Sequence, residues 1–193
     1  MIKVACKLSS VAIMGVFNRC IAEGVFPRIW RCSLIKRAPK GGNKPPEDPK
    51  SYRPITLLPS LGKLLERLIV PRLLPGGPIF HDNQFGFTIG KSTVDAALSY
   101  ISFYKAVNKS DHKYVLGIFL DISCAFDNAW WPMILLKLKS RGCPRNIFSM
   151  IYSYFIHGST KLRLGHHTVS KTLTMGCPQG SVVGPYLWME SRL

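Results

Sequence analysis

Acidic residues are scarce in this chain: 10 Asp and Glu stand against 26 Lys and Arg in 193 residues, a formal net charge of +16. Such a balance argues against a cationic partner and favours a polyanion, although a plain solvated basic surface has the same composition. Cys-x-x-Cys pairs are absent. The six cysteines, Cys6, Cys20, Cys32, Cys124, Cys143 and Cys177, follow no secretory leader and read as reduced thiols of an intracellular protein, nuclear or cytoplasmic. His157, His166 and His167 lack companion cysteines at zinc-finger spacing, so surface or turn roles are expected for them. No apolar run reaches the ~18 residues of a membrane span. The nearest, Val4 to Ile21, is broken by Lys7, Ser9, Ser10, Asn18 and Arg19, and no membrane partner is expected.

What is present is enough apolar material, 47% of residues, for one ordinary domain or a large piece of a bigger one. The stretch VLGIFLDISCAFDNAWW, Val115 to Trp131, organises the rest. Its apolar run predicts a strand buried on both faces that delivers Asp121 at its tip. Small residues Ser123, Cys124 and Ala125 then allow a tight turn, and Asp127 or Asn128 can cap a helix from about Trp131 to Ser140. A carboxylate at a strand end suits Mg²⁺, a hard ion that takes few protein carboxylates when phosphates supply other ligands. A turn or capping role is the commoner use of an aspartate in that place.

Ahead of that stretch, Val4 to Ile21 has the apolar spacing of an amphipathic helix, closed by Gly24 and Pro27. RIWRCSLIKR predicts a short strand, and PKGGNKPPEDP, Pro39 to Pro49, a loop. Eleven cations lie between Arg28 and Arg72, opposed only by Glu47, Asp48 and Glu66. Interleaved with Trp30 and Tyr52, that block can track a phosphate backbone or serve as a solvated face. LGKLLERLIVPRLL predicts a helix stopped by Pro71. GKST at 90–93 is not a phosphate loop, because Phe85 stands where that motif needs glycine; a helix from about Ser92 to Val107 follows, capped by Ser92 or Thr93. Later come a helix ended by Gly142, another from Pro144 to about Phe155, a hairpin around Gly165, and a loop of Gly176, Pro178, Gly180 and Gly184 before a short apolar helix.

Four blocks in order, SYRPITLLPSLGKLLERLIVPRL, QFGFTIGKSTVDA, FLDISCAFDNAWW and GCPQGSVVGPYLW, resemble the fingers and palm of reverse transcriptases of the non-LTR (LINE-type) retrotransposon family. The resemblance spans roughly Trp30 to Trp188. It implies an α+β fold: residues 1–29 an upstream amphipathic helix region, 30–111 fingers-like, and 112–193 an incomplete palm, an antiparallel sheet with packed helices. It implies an RNA template, a DNA primer and deoxynucleotide triphosphates as partners, and Mg²⁺, with Mn²⁺ as substitute, as cofactor. Asp121 would be the first catalytic aspartate and a metal ligand, joined by the backbone carbonyl of Ile122. Phe126 would be the steric gate beneath the incoming sugar, with an ordinary core aromatic as the alternative. Gln179 and Gly180 would line the nucleotide pocket, Arg53 and Lys63 would meet template or triphosphate, and Arg37, Lys40 and Arg53 would hold nucleic acid.

Two departures stand against the family pattern: Thr88 replaces a common basic residue, and Met189-Glu190-Ser191 follows Trp188 where an asparagine is usual. The family's second acid block, an Ala-Asp-Asp hairpin, is expected beyond Leu193 with the rest of the palm and thumb. The chain alone is therefore expected to be inactive, with an exposed apolar edge beside Asp121 and poor solubility. A non-catalytic basic module, binding nucleic acid or docking a protein through its first helix, is the alternative.

Overall fold

A computed structural model describes residues 9–42, 45–75, 81–108 and 114–190. By packing the chain divides into two compact units, Met1–Pro78 with Ala125–Leu193, and Ile79–Cys124.

The larger unit begins with helix α1 (Ser10–Glu23), which Gly24 closes in the left-handed conformation, its N–H donating to the carbonyls of Cys20 and Ile21. A single 3-10 turn, Arg28–Trp30, leads into strand β1 (Cys32–Pro39). Strand β2 (Tyr52–Leu57) pairs with β1 antiparallel, Leu34 opposite Leu57 and Pro39 opposite Tyr52. No strand was expected over Tyr52–Leu57, and Pro54 sits inside it. Proline is tolerated there because β2 is an edge strand and needs no amide on its open side.

Helix α2 (Ser60–Ile69) ends where Pro71 enters a 3-10 turn, as its sequence predicts. Helices α4 (Trp131–Ser140) and α5 (Arg145–Phe155) and the hairpin β3 (Ser159–Leu164)–β4 (His167–Thr172) also fall where expected. The described sheet runs β2-β1-β3-β4. It is mixed, since β3 pairs parallel to β1, with Leu34 opposite Lys161. Within residues 112–193 the described strands β3 and β4 pair antiparallel, and the parallel rung joins β3 to β1. The long excursion between β1 and β3 lets the chain return in the same direction, which a tight turn cannot do.

Apolar residues at helical spacing make one core, Leu65 and Ile69 from α2, Ile134 and Leu138 from α4, Ile147 and Ile151 from α5. Phe26 holds the junction, edge-on to Trp30 and to Tyr154 at 6.5 and 4.9 Å between ring centres. Its amide donates to Ser153 Oγ at 2.7 Å, and Asn146 Nδ2 donates to the Ile21 carbonyl at 3.0 Å, so the end of α1 is docked on α5.

The smaller unit holds helix α3 (Thr93–Asn108). Ser92 caps it reciprocally: the Asp95 amide donates to Ser92 Oγ, and the Asp95 carboxylate accepts from the Ser92 amide and hydroxyl. The strand expected to end on Asp121 is not formed. Residues 114–122 pair with no described strand, and Ile118, Phe119 and Leu120 are 74–90% exposed. A strand needs a neighbour for its amides and carbonyls, and apolar side chains alone do not supply one. The cap expected from Asp127 or Asn128 is also replaced. Trp130 is the N-cap of α4, without a side-chain hydrogen bond, and Pro132 presets the first turn.

One buried carboxyl group lies among the described residues of the larger unit. Glu66 is 1% exposed, on the same face of α2 as Leu65 and Ile69. Its Oε2 accepts from Ser181 Oγ at 2.9 Å, from the Val183 amide at 3.3 Å and from the Val182 amide. Ser181 Oγ in turn accepts from Tyr154 OH at 3.2 Å and from the Gly184 amide at 2.8 Å, at the start of helix α6 (Gly184–Glu190). Burial raises the Glu66 carboxyl above its ordinary value, and the hydrogen bonds from Val182, Ser181 and Val183 oppose that rise.

Glu66→Ala strands three buried donors and should cost about 2–3 kcal/mol in denaturant unfolding, whereas Glu66→Gln keeps an acceptor and should cost ~1 kcal/mol. Because the folded value is raised, this group's contribution is fully present below the ordinary carboxyl pKa. It is lost as pH rises through the raised value. Stability measured across that window should fall with pH in the natural chain, and the slope should flatten in Glu66→Gln.

Candidate functional site

Two distant stretches of the larger unit are stitched together beside the sheet. The Gly176 amide donates to the Ala129 carbonyl at 2.8 Å, the Cys177 amide to the Phe126 carbonyl at 2.7 Å, and Trp131 Nε1 to the Gly176 carbonyl at 2.8 Å. The approach needs glycine. Gly176 has φ +88°, and a Cβ there would stand 2.9 Å from the Asp127 carbonyl oxygen.

The Pro178-Gln179-Gly180 turn then meets β2. The Thr56 amide donates to the Gln179 carbonyl at 2.9 Å. Gly180 has φ +116°, a Cβ there would fall 2.8 Å from the Thr56 carbonyl oxygen, and Lys63 Nζ would lie 3.9 Å from it. Lys63 of α2, Thr56 of β2 and the Gln179–Gly180 turn therefore converge. Beneath them lies a cavity of about 380 Å³ whose lining includes Ser33, Thr56, Asp127, Thr160, Lys171 and Gln179. Thr160 Oγ1 is buried there without a hydrogen-bond partner.

Phe126 enters the same region, its ring stacked on Trp188 at 5.5 Å between centres and packed against the core. Burial pushes the Cys177 thiol up to about 12, so it fills space and is no nucleophile. Arg37 lies over the Tyr52 ring at 5.5 Å on β1, opposite Pro54, and the Lys40 amide donates to the Ser51 carbonyl at 2.7 Å. Arg53 stands opposite Ala38 and is exposed. Strand alternation puts Arg37 on the sheet face that lines the cavity, with Ser33, Ile35, Pro54 and Thr56, and Arg53 on the other face. Asp121 and Ile122 belong to the smaller unit and are exposed.

Among the described residues no three His, Cys, Asp or Glu side chains gather as a metal site, and the five described cysteines are free. His157, His166 and His167 are exposed, at or beside turns. Sequence reasoning missed Glu66 and the cavity position of Asp127. The signal for Glu66 was legible: a carboxylate on the apolar stripe of a helix must be paired or functional. Asp127 carried no such signal, because its place depends on the contact between 126–131 and 176–177.

The sequence profile of the family described as reverse transcriptase (RNA-dependent DNA polymerase) matches residues 38–191. The chain is 39% identical over 181 residues to the retrovirus-related Pol polyprotein from type-1 retrotransposable element R1 of Bradysia coprophila, an alignment that covers 90% of this chain and 17% of that protein. It is 37% identical over 178 residues to the RNA-directed DNA polymerase from mobile element jockey of Drosophila melanogaster, covering 90% of this chain and 19% of that protein. The chain thus spans less than a fifth of the length of these relatives. The matched residues include β2, α2, the Phe126–Trp131 stretch and the Gln179–Gly180 turn, and the chain belongs to the reverse transcriptase (RNA-dependent DNA polymerase) family, with relatives among non-LTR retrotransposons.

Proposed function

We propose that this chain is the part of an RNA-directed DNA polymerase that grips nucleic acid and nucleotide, with residues 1–29 an upstream region, 30–111 fingers-like and 112–193 part of a palm. The observation that carries this is the docking of the Gln179–Gly180 turn on Thr56 beside Lys63, within a chain whose residues 38–191 match the polymerase profile. Gln179 and Gly180 would border the nucleotide, the Lys63 ammonium and the Arg53 guanidinium would neutralise phosphate charge, and Phe126 would meet the sugar edge. RNA template, DNA primer and deoxynucleotide triphosphates are the partners of this reading, met in the nucleus or the cytoplasm. The profile match disfavours a protein-docking module as the chain's main role.

Mg²⁺, or Mn²⁺ in its place, is the cofactor of the proposed activity. Asp121 and the Ile122 carbonyl offer it one carboxylate and one carbonyl, and the described residues gather no further acids around a metal. These residues do not fit a complete two-metal site. The chain's own contribution is to bind and orient.

The chain should retard an RNA–DNA duplex, with affinity falling steeply between about 50 and 200 mM salt. Joint neutralisation of Arg37, Lys40 and Arg53 should weaken it at least tenfold, by the ~1.4 kcal/mol or more that lost phosphate contacts supply. Binding indifferent to both would refute the reading. In primer extension on an RNA template with Mg²⁺ or Mn²⁺, the chain and its Asp121→Ala variant should both give no product. Product made by the natural chain and lost in the variant would show that the metal site is complete after all.

A further inference from the structure

A polar row crosses the sheet at one rung. Ser33 of β1 stands opposite Thr160 of β3, and Thr160 stands opposite Lys171 of β4. Neighbouring strands lie about 4.8 Å apart and paired residues project from the same face, so a hydroxyl, a second hydroxyl and an ammonium come side by side. All three residues line the cavity of about 380 Å³.

The middle member of the row is unsatisfied. Thr160 Oγ1 is buried and meets no hydrogen-bond partner among the described residues, whereas Ser33 Oγ donates to the Ser159 carbonyl at 3.4 Å. A buried hydroxyl left unpaired is costly and calls for a partner. Lys171 is not claimed by an acid either. The four sheet strands contain no Asp or Glu, and the one ion pair among the described residues joins Arg19 to Glu23. Lys171, Thr172 and Thr174 are exposed, so the cavity is reached from solvent past β4.

A row of donors asks for acceptor oxygens, and the ammonium asks for negative charge. Carboxylates and phosphates bring both, accepting several charge-assisted hydrogen bonds at once. A single water would satisfy Thr160 and leave the ammonium unused. The one acid in the lining, Asp127, lies on the stretch docked against Gly176 and Cys177. Its carboxylate repels an anion held by the row, which sets an upper limit on the affinity. Ile35, Leu173 and Met175 give the occupant an apolar wall.

We propose that this row is a binding site for a small oxyanion, a carboxylate or a phosphate, held by the hydroxyls of Ser33 and Thr160 and the ammonium of Lys171. The site is separate from the grip on nucleotide described above, because Arg53 projects from the opposite sheet face and neither Lys63 nor Phe126 lines the cavity. It requires no polymerase activity. Gln179 lines the same cavity, so an occupant would also reach the turn that the Thr56 amide holds.

The test titrates the 193-residue chain with sodium acetate and with sodium phosphate, each exchanged for chloride at constant ionic strength, and follows the Thr160 methyl resonance and the melting temperature. Constant ionic strength separates a site from the general attraction of anions to a chain of net charge +16. At least one of the two anions should give a saturating shift and raise the melting temperature, and the one that saturates at lower concentration identifies the occupant as carboxylate or phosphate. Thr160→Val and Lys171→Gln should each weaken that anion about tenfold, while Thr160→Ser should keep it. Asp127→Asn should tighten it, since the variant loses only repulsion. Without added anion Thr160→Val should melt at the temperature of the natural chain or higher, because an unpaired hydroxyl is removed; clearly lower melting would show that the hydroxyl is already satisfied and overturn the proposal. Shifts that never saturate with either anion, or that saturate equally in Thr160→Val and Lys171→Gln, would also overturn it. Weaker binding in Asp127→Asn would assign the cavity to a ligand that brings a cation to Asp127 and overturn the oxyanion site.

Discussion

A buried carboxylate fixes the loop on which the candidate site depends. Glu66 carries no partner cation; it is held by the hydroxyl of Ser181 and the amides of Val182 and Val183. Desolvating a carboxyl is costly, and that cost is offset only if these donors stay in place. The geometry of 181–184 is therefore over-determined from α2. One turn of chain earlier, Gln179 and Gly180 have no freedom to drift, because β2 holds them from the other side through Thr56. Two anchors, one ionisable and one backbone, bracket a turn that has little packing of its own.

Much of the fold was legible because its helices carry their signals locally. Pro71, Gly142 and Pro144 stop and start helices by removing an amide or permitting a left-handed residue, and the β3–β4 hairpin turns at Gly165. What was not legible depends on partners. Val115 to Leu120 has the composition of a buried strand, yet composition states only that the segment needs cover and does not provide it. The parallel pairing of β1 with β3 joins residues more than a hundred positions apart, and neither strand encodes the other. β2 is of the same kind: a strand holding Pro54 is tolerated only because β2 is an edge of the described sheet.

The candidate site divides in the same way. Gln179, Gly180, Lys63 and Arg53 were reached through the family's motifs, and the larger unit brings Lys63 and Gly180 together. Asp121 was reached through the pattern of its own stretch, and it lies in the smaller unit on an exposed segment. Arg37 and Arg53, grouped by their nearness in sequence, belong to opposite sheet faces, since β1 and β2 are antiparallel and side chains alternate. A basic block in a sequence is thus a sum over surfaces. The distribution of that charge, with acids absent from the sheet, carries more functional information than the net +16.

Amide hydrogen exchange tests most directly whether Glu66 holds the Gln179–Gly180 turn. In the natural chain the Val182, Val183 and Thr56 amides should be protected together. Glu66→Ala should speed exchange at all three, the Thr56 amide included, although Thr56 makes no hydrogen bond to Glu66 itself. Loss of protection at Val182 and Val183 with Thr56 unchanged would contradict the coupling and leave Glu66 as a local stabiliser of the loop before α6.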